Sequence, residues 1–373
     1  MCAATAPPAA GRPAGRLPEF PWDVLAPYKE RAARHPDGLV DLSIGTPVDP
    51  TPEPVRQALG AAADSPGYPS VAGTARLRTS IRAYLQRRCG APPLADASIL
   101  PTIGSKELVA SLPSLLDLGP DRVVLVPALA YPTYGVGAIL SGAQVVASDA
   151  TLSAGPAPIG LVWVNSPANP HGRVLPVDHL RKVVSWARER GAVVASDECY
   201  FEFGWDAEPV SVLDPRVNGG SLDGVLALHS LSKRSNLAGY RAAFVAGDPV
   251  LVADLYAVRR HAGLMLPGPV QAAMSVALDD DEHVERQRGR YLARRTALRT
   301  AFERAGFRID HSEGSLYLWA TRDEPCWDSV GWLAERGILV TPGEFYGRTG
   351  GRHVRVALTV ADAGVAAVAE RLA

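Results

Sequence analysis

The chain has 373 residues, of which 47% are hydrophobic and 21% charged, and its formal net charge at pH 7 is −1. This composition is ordinary for a globular enzyme, and the near-zero net charge argues against binding to nucleic acid or an acidic membrane through a global field. No apolar run approaches the roughly 18 residues of a membrane span, and the length suggests a large domain with a second, smaller one.

The N-terminal sequence, MCAATAPPAAGRPAGR, is rich in Ala, Pro and Gly and lacks the apolar block of a secretory signal. We expect residues 1–16 to form a flexible tail and the segment 17–44 to pack with the smaller domain. The four cysteines are scattered and form no CxxC pair. Their spacing predicts neither a zinc site nor a disulfide framework and favours a cytoplasmic setting.

From residue 45 to 270, short apolar runs alternate with helical patterns. Runs rich in Val, Leu and Ala predict strands covered on both faces at 122–127, 143–148, 159–165, 192–197, 224–230 and 242–247. The Ser and Glu that open SKELVASLPSLLDLG predict a helix that begins near Ser105. Apolar residues at helical spacing predict another that runs from Val177 to a stop at Gly191. Strands that alternate with helices predict an α/β domain with a mostly parallel sheet.

The pattern changes after residue 270. A long basic helix pattern at about 282–305 leads to the short strand-like runs RID, LYLWA, GILVTPG and HVRVALT. We therefore predict a smaller α+β domain at 271–373. The acidic run DDDEH at 279–283 is interpreted as a solvated helix start, and no metal site is predicted.

Polar residues follow the predicted strands at the points where the strands end. They are Tyr131 after the first strand, then Asn165, Asn169, Asp197, Tyr200, Ser230, Ser232 and Lys233 after later ones. Because ligands bind at the carboxyl ends of the strands in α/β sheets, we expect these side chains to converge on one site.

Together these residues indicate a site for an anionic, aromatic, nitrogen-containing cofactor. A lysine buried behind an apolar strand has a lowered pKa, so the neutral amine of Lys233 can form a Schiff base with an aldehyde. Asp197 can keep a pyridine nitrogen protonated. Arg241, Ser230 and Ser232 suit a phosphate, and so does the Gly-Ser turn of TIGSKE at a helix start.

The stretch SLSKRSNLAGYRAA at 230–243 resembles the lysine signature of class I aminotransferases, which use pyridoxal 5′-phosphate (PLP) and have the fold called fold type I. The resemblance extends from LSIGTP at 42–47 to HVRVALT at 353–359. It implies a large domain with a mostly parallel seven-stranded sheet, a smaller α+β domain and a homodimer with shared active sites. The sequence departs from the family at His171, where Thr is usual, and at Ala243, where Gly is common.

The resemblance also implies roles for residues around the cofactor ring. Lys233 is expected to carry the cofactor and to shuttle the proton, with Asp197 as the partner of the pyridine nitrogen. Tyr200 and Asn169 are expected to hydrogen-bond the phenolic oxygen, and Tyr131 to stack on the ring.

The same resemblance implies a phosphate cradle and a substrate site. The cradle comprises Gly104, Ser105, Lys106, Ser230, Ser232 and Arg241, with Tyr68 reaching the phosphate of the neighbouring subunit. The substrate site comprises Gly45, Asn169 and Arg355. Arg355 is expected to clamp the α-carboxylate in a bidentate pair, and Gly45 to let that carboxylate approach the backbone.

Each of these residues also has a structural interpretation when it is taken alone. Lys233 then becomes a surface lysine, Asp197 a helix cap and Asn169 a turn residue. Tyr131 becomes a core aromatic and Arg355 a surface ion-pair partner. The spacing of Lys233 from its flanking serines and from the phosphate arginine favours the cofactor interpretation.

An arginine that holds the α-carboxylate favours transamination over decarboxylation or β-elimination. The segments FPWDVLAPYK and SDECYFEFGWDAEPVSVL are similar to those of the actinobacterial N-succinyldiaminopimelate aminotransferases of lysine biosynthesis. That similarity implies a ping-pong exchange between N-succinyl-LL-2,6-diaminopimelate and 2-oxoglutarate, with glutamate as the donor in the reverse direction.

This substrate and this reaction have three alternatives. An aminotransferase for aspartate, aromatic or branched amino acids remains open. A nicotinamide dehydrogenase would need a GxGxxG turn after an early strand, and the sequence has none there. A PLP-fold module attached to a DNA reader would need a basic domain for which the tail before residue 20 is too short.

Overall fold

A computed structural model describes residues 13–150 and 155–373. Most of the predicted tail, at 1–16, lies outside these residues, and Pro13–Arg16 form a 3-10 turn. The helices are Ala26–Ala33 (α1), Glu53–Ala61 (α2), Ala75–Cys89 (α3), Ser105–Leu115 (α4), Thr133–Ser141 (α5), Val177–Arg188 (α6), Pro215–Asn218 (α7), Leu231–Arg234 (α8), Pro249–His261 (α9), Gly268–Asp279 (α10), Glu282–Arg304 (α11), Cys326–Glu335 (α12) and Asp362–Arg371 (α13). The strands are Val40–Asp41 (β1), Ile99–Ile103 (β2), Val123–Val126 (β3), Gln144–Ala147 (β4), Ile159–Asn165 (β5), Val193–Asp197 (β6), Val225–Ser230 (β7), Ala242–Gly247 (β8), Arg308–Asp310 (β9), Tyr317–Thr321 (β10), Ile338–Leu339 (β11), Thr341–Pro342 (β12) and Val354–Ala357 (β13).

Seven strands form the large sheet, in the order β2-β8-β7-β6-β5-β3-β4. All neighbours are parallel except β8, which runs antiparallel to both β2 and β7. The predicted α/β fold with a mostly parallel seven-stranded sheet is therefore confirmed. The six strands predicted individually are all present, whereas β2 was not predicted because Pro101 interrupts its apolar run. Proline is tolerated there because β2 is an edge strand.

Helices cover both faces of this sheet. Along β3, Val123 and Leu125 belong to one hydrophobic cluster, and Val124 and Val126 to another. This alternation follows from the two-residue period of a strand and explains why the inner strands read as continuous apolar runs. Strand β4 is the exception to the predicted burial on both faces: it lies at the other edge and is largely exposed.

The register of the central strands sets the position of the polar residues. Asn165, the last residue of β5, pairs with Asp197, the last residue of β6, and Asp197 pairs with Leu228 of β7. Since β7 ends two residues later at Ser230, the ends of the three strands are nearly level. The residues that follow them therefore share one edge of the sheet.

The smaller domain contains a four-stranded sheet in the order β12-β13-β10-β9. Helices α11 and α12 pack beside it, and α13 packs on α11. In the N-terminal segment 17–44, β1 pairs with β11 in parallel, and Leu25, Val40 and Leu42 lie in the hydrophobic cluster of this domain.

The predicted domain boundary at 270/271 falls inside α10. Helix α10 packs against α2 and α3, and its buried Ala273, Met274 and Ala277 belong to a hydrophobic cluster of the large sheet. We propose from this packing that the boundary lies after α10, so that α11 begins the smaller domain.

Candidate active site

Asp197 lies at the carboxyl end of the central strand β6 and is buried. Its Oδ2 accepts a hydrogen bond from the Tyr134 hydroxyl at 2.8 Å, and its Oδ1 accepts one from the backbone N–H of Cys199 at 3.2 Å. Burial raises the pKa of Asp197, and these hydrogen bonds offset part of that rise. Among residues 13–150 and 155–373, no side-chain cation forms an ion pair with this buried carboxylate, which is therefore suited to an incoming cationic group.

Lys233 lies in α8, directly after β7, and is half-buried. Its Nζ donates a hydrogen bond to the backbone oxygen of Gly45. Burial lowers the pKa of Lys233, and the nearby Arg355 and Arg241 guanidiniums lower it further. The surroundings of this amine therefore favour the neutral, nucleophilic form that a surface lysine lacks.

The predicted phosphate cradle lies at the start of α4. Gly104 precedes the helix with a φ of 80°, in the region that favours glycine. Arg241 also has a positive φ, 58°, and its guanidinium lies so close to Gly104 that a Cβ there would collide with Nη2. Ser230 is the last residue of β7, and its hydroxyl accepts a hydrogen bond from the backbone N–H of Ser232. The backbone N–H groups at the start of α4 and the Arg241 guanidinium thus lie together and suit a phosphate.

We expect Gly104→Ala to weaken the binding of PLP. The added methyl group requires a strained φ and pushes the Arg241 guanidinium away from the helix start. The dissociation constant of the cofactor, measured by fluorescence titration of the apoprotein, should rise by about tenfold or more. Gly119→Ala is a suitable control because a Cβ at Gly119 meets nothing within 4 Å. Equal cofactor affinity in both variants would contradict the assignment of the cradle.

Arg355 lies in β13 of the smaller domain and is buried. Its Nη1 donates to Oδ1 of Asn169 at 2.8 Å, and its Nη2 donates to the backbone oxygen of Ser43 at 2.6 Å. Its Nε has no hydrogen-bond partner among the described residues. Because a guanidinium carries five N–H donors, this one retains donors for an anion.

Tyr200 and Asn169 lie beside these groups. The Tyr200 hydroxyl is buried and lies 2.8 Å from the Tyr317 hydroxyl, while Asn169 is fixed by the bond from its N–H to Oδ1 of Asn165 at 2.7 Å. Tyr131 is half-buried and its ring meets that of Tyr134 edge to face, with the centroids 5.8 Å apart. The predicted ring-binding residues therefore border one region at the edge of the sheet.

Two predicted residues point away from this region. The Tyr68 side chain is 97% exposed and contributes nothing to the site of its own chain. The side chain of Lys106 is also exposed, and its Nζ lies 5.9 Å from the centroid of the Phe20 ring. Any part that Lys106 plays in the cradle is thus restricted to its backbone N–H.

Tyr134, Tyr317 and Ser43 were not predicted from the sequence. Tyr134 lies three residues beyond Tyr131, a helical spacing that could have indicated it. Tyr317 lies two residues before Trp319 in a run interpreted only as a strand. Ser43 acts through its backbone oxygen, for which a single sequence holds no signal.

The arrangement fits PLP. The Gly104 space, which a Cβ would fill, suits the phosphate, and the buried Asp197 carboxylate suits a protonated pyridine nitrogen. Lys233, whose pKa is lowered by burial and by the nearby Arg355 and Arg241, would provide the amine for the aldehyde. Lys233, Asp197 and Arg241 would hold the cofactor at three of its functional groups.

The described residues also bear on metal sites and membrane spans. Across 13–150 and 155–373, no three His, Cys, Asp or Glu side chains are grouped so that they could hold a metal ion. Within those same ranges, no helix has the length and apolar character needed to span a bilayer.

Comparison with known proteins identifies a family whose sequences match this chain. A family model described as aminotransferase class I and II matches residues 37–372. A probable aminotransferase of Mycobacterium tuberculosis, Rv1178, is 60% identical over 367 residues, which cover 98% of this chain and 88% of the relative. The 4-dedimethylamino-4-oxo-anhydrotetracycline transaminase OxyQ of Streptomyces rimosus is 58% identical over 356 residues, which cover 95% of this chain and 99% of the relative.

A solved structure resembles the whole chain. It is described as a probable N-succinyldiaminopimelate aminotransferase from Thermus thermophilus. It superposes with a TM-score of 0.85 at 27% sequence identity, and the match covers 95% of this chain and 99% of that one. The fold of this chain is therefore shared with that structure over nearly its whole length.

Proposed function

Because the chain belongs to the class I and II aminotransferases, which use PLP, we propose that it transfers the amino group of N-succinyl-LL-2,6-diaminopimelate to 2-oxoglutarate, and the reverse. Transamination between an amino acid and a 2-oxo acid is the activity of the family. The choice of a succinylated diaminopimelate is our inference. It is supported by the segments of the sequence that resemble such enzymes and by the Thermus thermophilus structure of that description.

One observation supports a substrate that keeps its α-carboxylate. Arg355 is buried, two of its N–H groups are fixed by Asn169 and Ser43, and its Nε has no hydrogen-bond partner in the described part of the chain. A buried guanidinium with unused donors gains most from a bidentate carboxylate. A reaction that expelled this carboxylate would discard the contact that positions the substrate, so we propose amino exchange at the adjacent carbon.

When bound, PLP supplies an aldehyde carbon for the exchange of amines and a ring that withdraws electrons from the reacting bond. Asp197 would hold the proton of the ring nitrogen, and the Tyr134 hydroxyl keeps this carboxylate in place. Lys233 would be the base that removes the proton from the substrate Cα and later returns a proton. Burial lowers the pKa of Lys233, so its neutral, basic form is easier to reach than that of an exposed lysine.

A second copy of the chain is also part of the proposal. Tyr68 is 97% exposed and lies outside the site of its own chain. We propose that it reaches the phosphate in the neighbouring subunit of a homodimer. Its exposed hydroxyl is available for such a contact.

The test of the substrate is a panel of acceptors with glutamate as donor. We expect N-succinyl-2-amino-6-oxopimelate to give a kcat/KM at least about tenfold above oxaloacetate, phenylpyruvate or 4-methyl-2-oxopentanoate, because the site should make further contacts along the longer substrate. Faster turnover of oxaloacetate or phenylpyruvate would reject the substrate and retain the reaction. If glutamate leaves the bound cofactor unchanged, the donor assignment is wrong.

A second candidate acceptor follows from the 58% identity to OxyQ over nearly the whole chain. That relative's name specifies a 4-oxo-anhydrotetracycline substrate, so the panel should include 4-dedimethylamino-4-oxo-anhydrotetracycline. Preferential turnover of this ketone would favour the second candidate over the succinylated substrate.

A further inference from the structure

Two buried tyrosine hydroxyls meet in the candidate active site. The hydroxyl oxygens of Tyr200, after β6, and Tyr317, in β10, lie 2.8 Å apart. Only one proton fits between two hydroxyl oxygens, so the other proton of the pair needs an acceptor elsewhere. Among the described residues, neither hydroxyl makes another hydrogen bond. The pair therefore presents one donor to a ligand.

Tyr317 also contacts the substrate side of the site. The guanidinium carbon of Arg355 lies 4.0 Å from the centroid of the Tyr317 ring. The Tyr317 hydroxyl packs directly on Gly45, where any Cβ would collide with it. The backbone oxygen of Gly45 in turn accepts the hydrogen bond from Lys233. Tyr317 thus contacts Arg355 and Gly45, which are assigned to the substrate carboxylate, and Tyr200, which is assigned to the cofactor.

Either hydroxyl can be the donor in this pair. If Tyr200 donated to Tyr317, the spare proton would lie on Tyr317, beside a guanidinium that offers no acceptor. Donation by Tyr317 instead leaves the spare proton on Tyr200, which is where an acceptor on the cofactor is expected.

We propose that Tyr317 is a positioning residue, which donates to the Tyr200 oxygen and thereby directs the Tyr200 proton to the phenolic oxygen of the cofactor. The inference rests on the assignment of Tyr200 to that oxygen and is independent of the choice of substrate. Tyr317, in the smaller domain, would thus act on the cofactor through Tyr200, in the large domain.

The test is a pH titration of the holoenzyme absorbance near about 420 nm, without substrate. In Tyr317→Phe, Tyr200 becomes a weaker donor, so the phenolic oxygen keeps more negative charge and holds the proton of the linking nitrogen more tightly. We expect the apparent pKa of this absorbance to rise by about half a unit to one unit. The dissociation constant of the cofactor should rise about threefold to tenfold.

Tyr346→Phe is the matched control. Its ring also faces Arg355, with the guanidinium carbon 5.0 Å from the centroid, but it makes no hydrogen bond to Tyr200. This variant should leave the apparent pKa unchanged. In a Tyr200→Phe background, Tyr317→Phe should add no further shift, since its effect passes through the missing hydroxyl. An unchanged pKa in Tyr317→Phe, or an equal shift with and without the Tyr200 hydroxyl, would overturn the proposal.

Discussion

Lys233→Ala is expected to abolish transamination, with a loss of kcat of at least about a thousandfold. The substitution removes both the amine that holds the cofactor aldehyde and the base that moves the Cα proton. PLP should still bind through the phosphate cradle and Asp197, because neither contact requires the lysine. The absorbance near about 420 nm should disappear while the cofactor remains associated after gel filtration.

Lys182→Ala provides the control for this experiment. Lys182 is an exposed lysine on α6 and has no role in the site. Borohydride reduction of wild-type holoenzyme and of Lys182→Ala should attach the cofactor to Lys233 in both, as mapped by peptide mass spectrometry. Attachment to another lysine, or activity near the wild-type value in Lys233→Ala, would contradict the assignment.

The residues that the sequence identified share a local signal. Asp197 and Lys233 each follow a continuous apolar strand, and the topology of a parallel sheet requires such positions to meet at one edge. Arg355 has no such signal, because it lies within β13 of the smaller domain. It was identified only through resemblance to a family.

The residues that the sequence missed are defined by contacts between distant elements. Tyr134 reaches Asp197 from 63 residues away, across the packing of α5 against the sheet. Tyr317 meets Tyr200 only because β10 pairs with β13 and carries its side chain toward the large domain. Residue type alone does not separate such tyrosines from ordinary core aromatics.

The elements of the fold differ in the same way: some are predictable from local sequence, and others depend on contacts with elements distant in the chain. The inner strands of the large sheet were predictable because burial on both faces imposes continuous apolar runs. Strand β2 and the domain assignment of α10 depend instead on which neighbour each element has. An edge position admits Pro101, and contact with α2 and α3 places α10 with the large domain.

Asp197→Asn is expected to reduce the rate of the half-reaction with glutamate by about a hundredfold or more. An amide cannot hold a proton on the ring nitrogen, so the cofactor withdraws electrons less strongly when the Cα proton leaves. The amide can still satisfy its neighbours, since its oxygen accepts from the Cys199 N–H and its NH₂ donates to the Tyr134 hydroxyl. Stopped-flow absorbance with glutamate measures the rate directly.

The apoprotein should respond to the same substitution in the opposite sense. Because burial raises the pKa of Asp197 in the folded state, ionisation of this carboxyl destabilises the fold as the pH rises through that pKa. Apo Asp197→Asn should therefore unfold at a higher temperature than the apo wild type at pH 7 to 8. The difference in unfolding temperature should shrink as the pH falls and the wild-type carboxyl becomes protonated.

The two results together would separate the roles of Asp197. A carboxyl that lowers the stability of the apoprotein but raises the rate of the reaction is retained for the cofactor and not for folding. A variant that is both inactive and less stable than the wild type at neutral pH would show that Asp197 is needed for the fold itself.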